Sequence, residues 1–223
     1  MVRSEYSGDG LSEGELAPTP LQQVRRWVAE ASVRQAELGD VVEPTALSVA
    51  TVDADGRANV RTVLMRFLDE RGPGFVTDLG SAKSREIEAT GTVAASLTWP
   101  AMYRAVRFRG RAVAVGRDEI AAYFASRPWG SRISAWASDQ SQPVADRAAL
   151  VAAYERYAAL YPDTGAAADV PVPDGWGGWR IECDEIELWA GRRDRLHDRL
   201  VFTRVGDGDL DTPEAWTVHR RQP

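Results

Sequence analysis

Between Ala46 and Val115 the chain packs five strand-like runs into quick succession, and that crowding limits the folds open to it. Ala46-Leu-Ser-Val-Ala-Thr-Val52 turns through Asp53-Ala-Asp-Gly56 and returns from Ala58 to Phe67, the pattern of a β-hairpin. Gly74 to Thr77, Thr92 to Trp99 and Tyr103 to Val115 follow, the last carrying Arg104, Arg107, Arg109 and Arg111. Later strands are expected at Ile186 to Leu188, Leu200 to Arg204 and Ala215 to Val218. Strands joined by such short turns predict an antiparallel sheet, and this many of them predict a barrel.

Helical spacing is confined to four stretches. Thr19 caps and Pro20 opens a helix through Leu21, Val24, Trp27, Val28 and Ala31, predicted to lie on the sheet. A second starts near Ser81 with Lys83 in its first turn. A third runs from Asp118 to Ser126 and ends at Pro128, and Val144 to Tyr161 reads as an amphipathic helix. The fold class is therefore mainly β with flanking α (α+β). With 223 residues and no internal linker, residues 17–223 read as one domain, with 44% hydrophobic residues and eight tryptophans to fill its core. Residues 1–16 are rich in Gly, Ser and Glu and read as a mobile segment.

The formal charge of −6 argues against nucleic acid as a partner, since a phosphate backbone calls for a basic face. Cys183, the single cysteine, excludes an intrachain disulfide and a cysteine-based zinc site; it alternates with Trp179 and Ile181 as a packed thiol, and no metal site is expected. No apolar run reaches the roughly 20 residues of a membrane helix, which predicts a soluble, cytoplasmic protein.

Against this acidic background, Ile186 to Arg199 gathers Arg192, Arg193, Arg195, His197 and Arg199 just after Gly191. Arg195, His197 and Arg199 are spaced by two, so an extended backbone would project them from one face beside Trp189. Such a group is either a solvated basic turn or a wall for an aromatic, phosphorylated molecule. Two further places suit phosphate. Ser81 and Lys83 stand where a strand passes through Gly80 into a helix. Tyr123 and Arg127 sit one turn apart at a helix end, with Ser131 just beyond.

Several blocks occur in order along nearly the whole chain: Arg3-Ser-Glu-Tyr6, Arg61-Thr-Val-Leu-Met-Arg66, Gly80-Ser-Ala-Lys83, Tyr123-Phe-Ala-Ser-Arg127-Pro, Gln140-Ser141, Trp176-Gly-Gly, and Leu188-Trp-Ala-Gly followed by Arg195-Leu-His-Asp-Arg199. Together they resemble the pyridoxine/pyridoxamine 5′-phosphate oxidase family. The resemblance implies a split β-barrel with FMN as cofactor, acting as a homodimer whose two flavin sites lie at the subunit interface. Residues 176–223 would then form the C-terminal dimerisation and substrate-binding region.

On the same basis, the flavin-binding segment is Arg61, Thr62, Val63, Leu64, Met65 and Arg66, with further contacts from Val76, Thr77, Ser81, Lys83, Gln140, Ser141, Trp189 and Arg199. Arg66, Tyr123, Arg127 and Ser131 are implied to bind the substrate phosphate. Arg195 and His197 would be the catalytic pair beside the pyridine ring, and Arg3 and Tyr6 part of a lid. The family moves a hydride equivalent from C4′ of the substrate to the flavin; O2 then reoxidises the flavin and gives H2O2, with ammonia from the amine substrate. The cofactor carries the redox chemistry and the protein supplies placement.

Three positions depart from the family pattern: Arg66 replaces a lysine, Ala82 an arginine and Ala105 a glutamine. Arginine's planar fork is not interchangeable with an ammonium at a phosphate, and a lost charge-assisted bond costs about 1.5–3 kcal/mol.

Overall fold

The computed structural model describes residues 5–223. Nine strands form one antiparallel sheet: β1 (Ala46–Val52), β2 (Ala58–Leu64), β3 (Phe67–Asp69), β4 (Gly72–Asp78), β5 (Thr92–Trp99), β6 (Arg104–Ala114), β7 (Trp176–Ala190), β8 (Asp198–Arg204) and β9 (Trp216–Arg220). The order β2-β1-β5-β6-β7-β4-β3 places two consecutive strands at opposite edges. Only Met65 and Arg66 separate β2 from β3, so the sheet must curl until its edges approach. The Met65 N–H donates to the Thr45 carbonyl and the Arg66 N–H to the Gly74 carbonyl, each at 2.8 Å, across this seam. The predicted return strand from Ala58 to Phe67 is therefore broken near its end, at Met65 and Arg66, where the barrel is split.

β7 is the long member that both halves share. β6 runs along one of its edges, while β4 pairs with Trp176 to Arg180 and β8 with Glu185 to Ala190 on the other. The sheet forks between these pairings, where the β6 register also shifts at Arg109/Gly110. Gly110 is required there, because a Cβ would stand 1.9 Å from the Glu182 carbonyl oxygen. Cys183 is buried in this strand, and burial pushes its thiol pKa up, as an inert core thiol requires.

Among the described residues five α-helices flank the sheet: α1 (Pro20–Leu38), α2 (Ala82–Thr90), α3 (Arg117–Ser126), α4 (Trp129–Ala137) and α5 (Arg147–Leu160). α1 follows its sequence signals. Thr19 accepts from the Gln22 N–H, and Leu21, Val24, Trp27 and Ala31 are buried in the main core. α4 went unpredicted: Pro128 ends α3 and caps the next helix, leaving Ser131 in the first turn of α4. A second core of Ile120, Phe124, Ile133, Val170 and Trp176 fills the space between these helices and the start of β7. α5 begins at Arg147 with Asp146 as its cap and has no fully buried residue. Its tyrosines pack on the second core, but Val151 is exposed, so the predicted apolar face covers only its last two turns.

Residues 5–16 hold more contacts than their composition suggests. Leu11 is buried, its N–H donates to Asp198 at 2.9 Å, and Glu13 pairs with Arg220. Arg3 lies outside the described residues. Among the described residues, no helix is long and apolar enough to cross a membrane.

Candidate active site

The first cluster forms where β4 enters α2. Lys83, only 6% exposed, donates to Thr77 Oγ1 at 3.0 Å, Ser81 Oγ at 3.3 Å and Gln140 Oε1 at 2.5 Å. All three acceptors are neutral, and Lys83 has no ion pair among the described residues. Burial, then the charge of Arg61, push its pKa down to about 8. A buried ammonium at a helix N-terminus without a counter-ion fits an incoming phosphate. Ser141 Oγ receives the Ala82 N–H at 3.1 Å, so the loop at Gln140–Ser141 closes over this end of α2. The cluster draws Thr77, Ser81 and Lys83 together with Gln140 and Ser141 from two distant parts of the chain.

Alternation divides the Arg61 to Arg66 segment. Arg61 reaches toward α2, donating to Glu86 at 2.8 Å, Thr51 Oγ1 at 2.6 Å and the Val49 carbonyl at 3.1 Å. Val63 packs on the core and Met65 is buried in it, so their side chains serve the fold. Thr62 is exposed, opposite Ser48 on the sheet's other face, and Leu64 follows it in the alternation. Val76 is half-buried beside Thr77.

The second cluster stands on α3. Arg127 lies with its guanidinium carbon 4.9 Å from the Trp176 ring centre, and Tyr123 stacks on the same ring at 6.2 Å with planes 5° apart. Arg127 Nη1 is buried without a hydrogen-bond partner. Burial first, and the charge of Arg66 with it, lower the Arg127 pKa, while Tyr123 opposes the shift. A buried guanidinium with an open donor and a phenol share the Trp176 ring, and Arg127 feels the charge of exposed Arg66, features expected of an anion receptor. Ser131 is half-buried in the following turn. Trp176, the platform under both groups, had no assigned role in the sequence; its signal was its place before Gly177-Gly178.

The third cluster surrounds His197. Its ring lies 4.9 Å from that of Trp189 and 5.1 Å from that of Tyr6. The Arg192 N–H donates to His197 Nδ1 at 3.1 Å, so a neutral ring carries its proton on Nε2. The expectation that Arg195, His197 and Arg199 share one extended face does not hold. Asp194 and Arg195 have φ of 56° and 61°, the chain turns, and β8 starts only at Asp198. Arg199 on β8 pairs with Glu187 at 2.6 Å and Arg192 pairs with Asp198. Among the described residues, Arg193 and Arg195 form no ion pair, and Arg195 is exposed. Asp198, which sequence reasoning passed over, joins this turn to the N-terminal segment through Arg192, the Leu11 N–H and Arg220. Burial opposes ionisation there, but these donors hold its carboxyl below the usual range.

The third cluster stands apart from the first two. Thr77 pairs with Gly177 at the start of β7, whereas Trp189 pairs with Arg199 near its end. Twelve residues of strand separate the two places, up to about 40 Å at ~3.3 Å per residue.

Residues 35–161 match the family described as Pyridoxamine 5′-phosphate oxidase, and residues 176–223 match the Pyridoxine 5′-phosphate oxidase C-terminal dimerisation region. A pyridoxine/pyridoxamine 5′-phosphate oxidase of Streptomyces avermitilis is 45% identical, covering 100% of this chain and 95% of the relative. One from Kineococcus radiotolerans is 46% identical, covering 99% and 97%. Among solved structures, PhzG from Burkholderia lata 383, in complex with tetrahydrophenazine-1-carboxylic acid, is 32% identical with a TM-score of 0.83, covering 97% of this chain and 100% of that one. An FMN-binding protein of Nostoc punctiforme, related to pyridoxamine 5′-phosphate oxidase, shares the fold at 17% identity and a TM-score of 0.67, covering 89% and 97%. On its sequence and its split-barrel fold, the chain belongs to the pyridoxine/pyridoxamine 5′-phosphate oxidase family.

Proposed function

We propose that the protein is an FMN-dependent oxidase that converts pyridoxine 5′-phosphate and pyridoxamine 5′-phosphate to pyridoxal 5′-phosphate, with O2 as acceptor and H2O2 as product. The observation that carries this reading is the buried, unpartnered Nη1 of Arg127, held over Trp176 beside Tyr123 and near Arg66. A phosphate ester satisfies that donor; a substrate without one leaves it orphaned. The reaction belongs to vitamin B6 synthesis and is assigned to the cytoplasm, where a lone buried thiol stays reduced.

Family membership brings FMN as cofactor, and the Thr77, Ser81, Lys83 and Gln140 cluster fits its phosphate. Bound there, FMN supplies the hydride acceptor that dioxygen restores. Lys83 and the α2 N-terminus hold the negative charge, and Gln140 and Ser141 close over it. Tyr123, Arg127, Ser131 and Arg66 hold the substrate phosphate, so binding energy made away from the reacting carbon fixes the ring's position. His197 presents the proton on Nε2 to the ring's oxygen substituent, and Arg195 adds a cation beside it. Arg3 and Tyr6 belong to a segment that covers the ring.

One chain leaves these parts far apart along β7, which supports a homodimer in which the Lys83 cluster of one subunit meets the His197 cluster of its partner. The matching dimerisation region supports the same assembly. The test is turnover: the flavin-loaded protein, incubated aerobically with pyridoxamine 5′-phosphate, yields pyridoxal 5′-phosphate, peroxide and ammonia. The likeness to PhzG favours a second reading, oxidation of another reduced aromatic such as a phenazine precursor. Flavin-loaded protein that forms no pyridoxal 5′-phosphate but oxidises such a compound would put that reading first.

A further inference from the structure

Arg180 lies outside all three clusters and is only 4% exposed. It projects from β7 between two acids, donating to Asp69 at 2.8 Å and to Glu119, and also to the Gly72 carbonyl at 3.1 Å. Arg71 binds the same two carboxylates from the outside. The four charges tie the β3–β4 turn, β7 and α3 into one clamp. Asp69 meets both terminal nitrogens of the buried guanidinium and Glu119 adds a second charge at Nη2, while Nε has no partner.

The clamp reaches the phosphate receptor by two routes. Glu119, Tyr123 and Arg127 are spaced by four along the α3 segment, so the turn fixed by Arg180 is the turn directly before Tyr123. The Arg180 guanidinium also lies 4.6 Å from the Phe67 ring centre. Phe67 meets Tyr123 edge to face at 5.7 Å, and Tyr123 stacks on Trp176 beneath Arg127. Phe67 directly follows Arg66, the second cation of the receptor. Tyr123 is thus one helical turn from the clamp and Arg127 two, and Arg66 adjoins Phe67, which the clamp touches directly.

We infer that Arg180, braced by Asp69 and Glu119, is a positioning residue that sets the spacing of Arg66, Tyr123 and Arg127 and so determines selectivity for phosphorylated substrates. This rests on the proposed phosphate receptor. Arg180→Met keeps an apolar stem against Phe67 and removes the charge; Glu119→Gln loosens only the α3 tether and leaves Arg180 with Asp69.

The experiment compares pyridoxal 5′-phosphate with pyridoxal, titrated into FMN-loaded protein and followed by tryptophan fluorescence, with FMN affinity and thermal unfolding measured in parallel. Both variants are expected to weaken the phosphorylated ligand about tenfold and to leave pyridoxal and FMN within about twofold. Kinetically, KM for pyridoxamine 5′-phosphate rises while kcat holds. Equal weakening of both ligands, or of neither, overturns the inference and leaves Arg180 a structural residue. If Arg180→Met does not fold, Glu119→Gln decides by the same comparison. Wild-type protein that binds the phosphate ester selectively but does not oxidise it removes the proposed reaction and leaves this inference open to the same test. Wild-type protein that binds the two ligands equally removes the receptor and the inference together.

Discussion

The Arg192 N–H and His197 Nδ1 are joined at 3.1 Å across a turn that two left-handed residues impose. The contact uses up the one acceptor of a neutral imidazole and leaves its donor for a ligand. Replacing His197 by Ala removes that donor and the ring that packs on Trp189. Turnover of pyridoxamine 5′-phosphate is expected to fall about tenfold or more, while FMN stays bound by its phosphate cluster. Steady-state rates and the flavin spectrum of the same sample check both halves.

With Lys83 at the proposed FMN phosphate site, FMN affinity is expected to depend on pH. Its folded pKa of about 8 lies below the 10.5 of an unperturbed lysine. Between these values the unfolded chain binds more protons, so the flavin-free protein gains stability as pH rises through that window. Flavin binding runs the other way, since the phosphate needs the ammonium. Fluorescence titration should show affinity falling above about pH 8. Lys83→Met is expected to weaken FMN about 10- to 100-fold and abolish the slope.

The proposed pairing of half-sites from opposite ends of β7 predicts complementation between subunits. Lys83→Met and Arg195→Ala, each nearly inactive alone, are expected to regain activity when unfolded and refolded together. A mixed dimer holds one doubly damaged site and one intact site. Activity that stays at the level of the separate variants would show that each chain builds its own site.

Gly72 gives a test of the fold itself. Its φ is 124°, and a Cβ would stand 2.0 Å from the Ile181 carbonyl oxygen across the β4–β7 pair. Gly72→Ala combines backbone strain with overpacking, for a loss of about 2–5 kcal/mol. Thermal unfolding should shift down by roughly 10 °C for a chain of this size.

The strands and α1 were legible because alternation, turn residues and caps are local signals. Thr19 and Asp53 to Gly56 declare themselves without any tertiary partner. α4 was hidden because Pro128 reads as a stop, and only the structure shows it serving also as a start. α5 misled because its alanines mimic an apolar face that nothing covers along its first half. At the site, spacing placed Tyr123 and Arg127 on one side of α3, which holds. Spacing failed at Arg195 and His197, since a period of two has meaning only on an extended backbone and Asp194 and Arg195 are left-handed. The partners of the arginines were illegible altogether. Glu187 gathers Arg107 from β6, Arg199 from β8 and Arg221 from just beyond β9, a convergence that only register creates.

The fork of β7 sets a limit on how this polypeptide can be divided. Its first and second family-matched stretches look separable on paper, yet the later one contributes the strand on which β4, β6 and β8 all depend. Cutting the chain at residue 175 would strip β4 and β6 of their shared hydrogen-bonding partner at once and leave bare β edges prone to aggregate. The tail is the keel of the barrel, and the two pieces stand or melt as one body.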